Sequence, residues 1–138
     1  IRVALAGAGA FGIKHLDGIK NIDGVEVVSL IGREFAKTKE VADKYGIGHV
    51  TTDLNESLAL KEVDAVILCT PTQMHASQTL ACLKAGKHVL LEKPIAMELA
   101  EAGVPCVWGQ DPCILPKATK TVAAWRLSTS LVLTSSRS

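Results

Sequence analysis

The chain predicts an α/β fold, a parallel sheet with helices on both faces, over residues 1–102, followed by an irregular C-terminal tail over 103–138. Three observations carry this. Apolar segments of strand length alternate with segments of helix length up to residue 102. Val25–Ile31 and Asp64–Cys69 are near-continuous apolar runs, the pattern of strands buried on both faces. Between the first strand and the first helix stands Gly7-Ala8-Gly9-Ala10-Phe11-Gly12, a Gly-x-Gly-x-x-Gly turn.

Taken in order, Ile1–Ala6 reads as the first strand and Phe11–Asn21 as a helix, with Phe11, His15, Leu16 and Ile19 on one face. A turn over Asn21–Gly24 leads into the second strand, Val25–Ile31. Glu34–Tyr45 is helical and Gly46 is placed to stop it. A short strand at His49–Thr51 precedes Asp53-Leu54-Asn55-Glu56, which resembles a capping box and opens a brief helix. Asp64–Cys69 is the fourth strand, Gln73–Ala85 a helix ending at Gly86, and His88–Glu92 the fifth strand. Right-handed crossovers through these helices give the spatial order 3-2-1-4-5, most of a Rossmann-type sheet. A helix beginning near Ala96 stops at Gly103-Val104-Pro105. Beyond it there is no sustained period: two tryptophans, Trp108 and Trp125, a Pro112/Pro116 pair and a Ser/Thr-rich end. Gly/Pro punctuation of this kind reads as loop.

Composition narrows the function classes. Of 138 residues 48% are hydrophobic and 21% charged, which excludes a disordered chain. A net charge of +1 argues against a nucleic-acid surface. No apolar run approaches the roughly twenty residues of a membrane helix. No signal-peptide pattern is visible, and the chain begins at Ile1 rather than Met. Cys69, Cys82, Cys106 and Cys113 lack metal-ligand or redox spacing and read as reduced thiols of a cytoplasmic protein, with no metal site.

Ligands of open α/β sheets bind outside the carboxyl ends of the strands, so the residues after each strand form one surface. After the first strand, Gly7 permits the sharp turn, Gly9 lets the backbone approach a pyrophosphate, and Gly12 lets the helix pack close to the strand. The pyrophosphate then meets free N–H groups and the positive end of the helix dipole. After the second strand an NAD site carries Asp or Glu for the ribose hydroxyls. Here Gly32 leaves room and adds no charge, and the Arg33 guanidinium suits the 2′-phosphate of NADP. The competing reading makes Arg33 a solvated helix-start residue and gives the ribose to Glu34. After the fourth strand, Cys69-Thr70-Pro71-Thr72 offers hydroxyls for a ribose, with helix capping by Thr72 as the plain alternative. His75, one turn later, is a structural or a catalytic histidine. His15 and His88 read as packing residues and His49 as exposed. Lys93, at the end of a buried strand, is the catalytic candidate, because lost solvation lowers a lysine pKa toward a useful range. The alternatives are an ion pair with Glu92 or an ordinary surface lysine.

Three blocks together, Gly7–Gly12, Cys69-Thr70-Pro71-Thr72-Gln73-Met74-His75 and Ala85-Gly86-Lys87-His88-Val89-Leu90-Leu91-Glu92-Lys93-Pro94, resemble the N-terminal domain of the glucose–fructose oxidoreductase/inositol dehydrogenase (Gfo/Idh/MocA) family. The Glu-Lys-Pro ending is the most specific of them. The resemblance implies that Gly7, Gly9, Ala10, Phe11 and Gly12 contact the pyrophosphate and Arg33 the 2′-phosphate. It implies that Thr70, Pro71, Thr72 and His75 line the nicotinamide side, that Glu92 and Lys93 orient nicotinamide and substrate, and that Lys93–Pro94 is often cis. Family members continue into a second α/β domain that supplies a catalytic histidine and substrate-binding groups. That domain is not recognisable after residue 102, and the tail holds no histidine.

The resulting expectation is the cofactor-binding portion of an NADP-dependent oxidoreductase. Hydride would pass between nicotinamide and a hydroxyl or hemiacetal carbon of a small polar substrate. Partners are that substrate, given a second domain; nucleic acid and membrane are not expected, and homo-oligomerisation stays open. The alternative is an NADP(H)-binding module, or a truncated fragment without turnover whose fifth-strand edge lies uncovered.

Overall fold

The computed structural model describes residues 1–94 and 97, and the backbone of 122–127 and 130–135. The chain alternates β1 (Arg2–Ala6), α1 (Ala10–Ile19), β2 (Glu26–Ile31), α2 (Phe35–Tyr45), β3 (His49–Thr51), α3 (Leu54–Ala59), β4 (Ala65–Leu68), α4 (Thr72–Lys84) and β5 (His88–Leu91). β6 (Val122–Leu127) and β7 (Ser130–Ser135) follow. The sheet order is β3-β2-β1-β4-β5-β7-β6. The first five strands are parallel, in the expected 3-2-1-4-5 order.

Period-two alternation divides the core between the two faces. Ala4 and Ala6 of β1 join Val66, Leu68, Val89, Leu91, the α3 leucines Leu54 and Leu58, and Cys82 of α4. Val3 and Leu5 point the other way, onto Leu16 of α1, Ala42 of α2, Leu30 and Ile67. Both faces of β4, and of β1 from Val3 on, are therefore dry, which is why Asp64–Cys69 reads as a near-continuous apolar run; in β2 burial is complete only over Ser29–Ile31. At about 25 cal/mol per Å² of apolar surface removed from water, this two-sided burial is the main stabilising term.

Local signals fall close to where the sequence puts them. Gly46 closes α2 with φ +72°, a left-handed cap open to glycine at little cost. Asp53 caps α3, its Oδ1 accepting from Asn55 N at 2.9 Å. Glu56 does not complete a capping box; it accepts from the Thr51 hydroxyl, and Thr51 Oγ1 in turn accepts from Asp53 N.

The α1 face differs from expectation. Gly12 and Leu16 are buried, whereas Phe11 is 64% exposed. Contact between Gly12 and the glycine turn sets the rotation of the helix and swings Phe11 outward. His49 is half-buried, not exposed, with Nδ1 2.9 Å from the hydroxyl of buried Ser29.

The tail departs further from the expected irregular chain. β7 pairs antiparallel with β5, Leu90 opposite Val132, and β6 pairs antiparallel with β7. The β5 edge, expected to lie uncovered, is thereby hydrogen-bonded. These strands left no clear period because a short hairpin with two Ala in one strand carries little alternation. The helix expected near Ala96 lies outside the described residues. Among the described residues no helix is long and apolar enough to cross a membrane.

Candidate functional site

Strand register brings the candidate residues into one row. Ala6 stands opposite both Ile31 and Leu68, Ile31 opposite Thr51, and Leu68 opposite Leu91. The ladder continues one step: Gly7 N donates to Ile31 O, Gly32 N to Thr51 O, Cys69 N to Ala6 O and Glu92 N to Leu68 O. Thr52, Gly32, Gly7, Cys69 and Glu92 thus follow one another across the carboxyl edge of the sheet. Neighbouring positions lie about 4.8 Å apart, as strands do.

Above the first four of these positions lies a groove of about 840 Å³; Glu92 stands past its β4 end and does not bound it. The turn residues Gly7, Ala8 and Gly9 form its centre. Gly32, Arg33, Glu34, Lys37 and Thr38 bound the β2 side, and Thr52–Asn55 the β3 side. Cys69, Thr70 and Pro71 lie at the β4 end, with Met74, Ser77, Gln78 and Ala81 of α4 forming a wall.

The glycines show why this turn has its shape. Gly7 has φ +113°, and a Cβ there would lie 2.5 Å from the Cys69 carbonyl oxygen. A Cβ on Gly12 would lie 1.8 Å from the Gly7 carbonyl oxygen, so α1 presses directly on the turn. A Cβ on Gly9 would meet nothing within 4 Å. That position faces open groove, room for a group to approach the backbone. Gly9 is also the N-cap of α1, with no side-chain cap and no acidic residue in the first turn. An uncapped helix start suits a phosphate anion on both hydrogen-bonding and dipole grounds.

At the β2 end, Gly32 has a reason that the sequence does not display. A Cβ on it would lie 2.0 Å from Thr38 Oγ1 and 3.0 Å from Thr38 Cβ and Cγ2. Thr38 is buried, and its hydroxyl donates to Glu34 O at 2.7 Å. A side chain at the position where a ribose-binding acid would stand therefore collides with Thr38 unless α2 shifts. Glu34, the alternative ribose partner, also bounds the groove and pairs with Lys37 at 2.7 Å, both side chains exposed. Arg33 is exposed at the rim of the groove.

At the β4 end, Thr70 Oγ1 donates to Gln78 Oε1. Thr72 does not cap α4; Pro71 is the N-cap residue, and no side-chain cap bond forms. His75 lies beneath the groove rather than lining it. It is 1% exposed, with Nδ1 2.8 Å from Pro94 O and Nε2 2.7 Å from Thr70 O. Burial, with the Glu92 carboxylate adding to it, pushes the Cys69 thiol up to about 12. Cys69 is thus a neutral thiol at physiological pH, and the nearby carboxylate belongs to the β5 end of the row.

Of the β5 residues, Glu92 is half-buried and meets His15 Nε2 at 2.7 Å. Lys93 is exposed, so the burial expected around it is not present among the described residues. The Lys93–Pro94 bond is cis. Ala10 and Phe11 stand at the start of α1 beside the groove rather than among the residues bounding it. Sequence reasoning missed His15, placed with the packing residues, and the wall formed by α3 and α4. The i, i+3, i+4, i+7 spacing of Met74, Ser77, Gln78 and Ala81 is the one signal that marked the α4 wall as a single face.

Comparison with known proteins agrees with this geometry. Over 102 residues the chain is 65% identical to a 4-carboxy-2-hydroxymuconate-6-semialdehyde dehydrogenase from Sphingobium sp., covering 74% of this chain and 32% of that one. A probable dehydrogenase from Thermotoga maritima superposes with TM-score 0.73 at 31% identity, over 75% of this chain and 31% of the other. Scyllo-inositol dehydrogenase from Lactobacillus casei, solved with NAD(H) and scyllo-inositol, superposes with TM-score 0.71 at 26% identity, over 75% and 31%. The chain spans about a third of the length of these relatives. Residues 1–104 match the oxidoreductase family with an NAD-binding Rossmann fold, Gfo/Idh/MocA. A phosphate-ready glycine turn, a groove along the strand ends and this match together show that the chain belongs to the Gfo/Idh/MocA oxidoreductase family and carries its NAD(P)-binding domain.

Proposed function

We propose that this domain selects NADP and serves an oxidoreductase acting on a hydroxyl or hemiacetal carbon of a small polar substrate. The observation that carries the cofactor choice is the contact between Gly32 and Thr38, which leaves no space for an acid at the end of β2. Arg33, exposed at the rim beside Lys37, is suited to a 2′-phosphate by charge-assisted and bidentate bonds. The glycine turn and the start of α1 would hold the pyrophosphate. Thr70 and Pro71 would flank the half of the dinucleotide beyond it, with Glu92 and Lys93 at the β5 end. When bound, the nicotinamide supplies the hydride chemistry. Lys93, exposed at the β5 end, would hold the reacting oxygen by a hydrogen bond from its ammonium group. The 65% identity to a semialdehyde dehydrogenase supports an aldehyde-level substrate, which addition of a hydroxyl group would convert to a hemiacetal. The free thiols of Cys69 and Cys82 fit a reducing, cytoplasmic setting.

Fluorescence titration with NADPH and NADH tests the cofactor assignment. NADPH is expected to bind at least tenfold more tightly. Arg33→Ala is expected to weaken NADPH by roughly 10- to 100-fold, the range of one lost charge-assisted contact, while changing NADH little. Equal wild-type affinities would remove the NADP assignment.

A further inference from the structure

Helices from opposite faces of the sheet reach the segment that follows β5. From α1, His15 places Nε2 2.7 Å from Glu92 Oε1, across 77 residues of sequence. From α4, buried His75 places Nδ1 2.8 Å from the Pro94 carbonyl oxygen. The two side chains of the first contact are 23% and 22% exposed, so it is shielded from solvent more than a surface pair. The helix that carries His15 begins at the glycine turn, and Gly12, three positions before His15, presses on that turn. One short rigid element therefore joins the phosphate turn to the carboxylate at the β5 end.

We infer that His15 is a positioning residue. Its Nε2–H donates to the Glu92 carboxylate and holds it over the β4–β5 side of the site. The inference rests on the dinucleotide reading of the groove and extends it. With Arg33 on the β2 side and the glycine turn on β1, a dinucleotide running along the strand ends places its other half over β4, where the groove ends, and toward the neighbouring β5. Glu92 stands there, beside Cys69, whose thiol its charge perturbs. His15 thus acts on the nicotinamide half and leaves the adenosine half alone.

This separation is testable with the full chain and two ligands. NADPH carries both halves, and 2′,5′-ADP carries only the adenosine half with its 2′-phosphate. His15→Leu is expected to weaken NADPH roughly tenfold, as expected for losing a hydrogen bond to a charged group. The same variant is expected to bind 2′,5′-ADP within about twofold of wild type, which also reports an intact fold. His15→Gln keeps an N–H donor near the Nε2 position and is expected to recover most of the loss. Equal weakening of both ligands, no weakening of either, or a Gln variant as poor as the Leu variant would each overturn the inference. A wild-type chain that binds NADH but not NADPH would overturn only the NADP assignment. NADH against ADP-ribose then reads the role of His15 in the same way. A chain that binds none of these ligands removes both.

Discussion

Gly32→Ala adds one methyl group where the structure has no room for it. The new carbon would lie 2.0 Å from Thr38 Oγ1 and 3.0 Å from both Thr38 Cβ and Cγ2. Rotating Thr38 about χ1 exchanges hydroxyl and methyl but leaves Cβ in place, and it breaks the Oγ1–Glu34 O bond. Relief therefore requires α2 to move away from β2. Overpacking of this kind costs about 1–3 kcal/mol. For a chain of 138 residues, each 1 kcal/mol lowers Tm by about 3–5 °C, so a fall of roughly 3–15 °C is expected by thermal circular dichroism. Thr38→Ala alone loses one hydrogen bond, about 1 kcal/mol. In the double variant the two losses are expected to fall short of additive by about 1 kcal/mol, because the second change removes part of what the first collides with. Gly32→Asp, the substitution that would install an NAD-type acid, is expected to cost more than Gly32→Ala and to gain no NADH affinity. A Gly32→Ala protein melting within about 1 °C of wild type, or strictly additive losses, would show that Thr38 yields freely and that the β2 end is not closed.

Two further predictions concern pH. Burial pushes the Cys69 and Cys82 thiols from 9.0 to about 12, so the folded state keeps protons that the unfolded state releases. Their contribution to stability is full below pH 9 and is lost as pH rises toward 12; native-state alkylation at pH 8 should be slow and become fast on unfolding, and rapid labelling of the folded chain would contradict this. Asp64 accepts from Arg2 N at 2.8 Å, and this bond holds its carboxyl below the usual 3.8. Its contribution is present above that value and is lost as pH falls through the lowered one. Asp64→Asn should flatten the acid limb of the stability curve, and an unchanged limb would show that the contact is not maintained in solution.

Several parts of the site were legible before folding because their causes lie within a few residues. Gly7 and Gly12 are required by a turn and a helix that are adjacent in the chain. The cap at Asp53 and the left-handed stop at Gly46 answer to neighbouring backbone groups. Other parts were not legible because the partner is remote or because local pattern admits two outcomes. Phe11 fits an apolar helix face, yet the rotation of α1 follows from Gly12 meeting Gly7. Thr72 resembles a cap by composition, but it is the first residue of α4 and Pro71 holds the N-cap position. His75 follows the Thr-Pro-Thr block and leaves a structural and a catalytic reading open; α4 turns it under the loop toward two carbonyl groups.

The sequence by itself determined the strand–helix alternation, the strand order and the phosphate turn. Each rests on apolar periodicity or on backbone conformations open only to glycine, and both are properties of short stretches of chain. Tertiary structure alone decided that Gly32 is closed by Thr38, that His15 holds Glu92, and that a hairpin completes the β5 edge. Those facts depend on how closely separate elements approach one another. That distance is set by packing both faces of one sheet at once, and no local pattern encodes it.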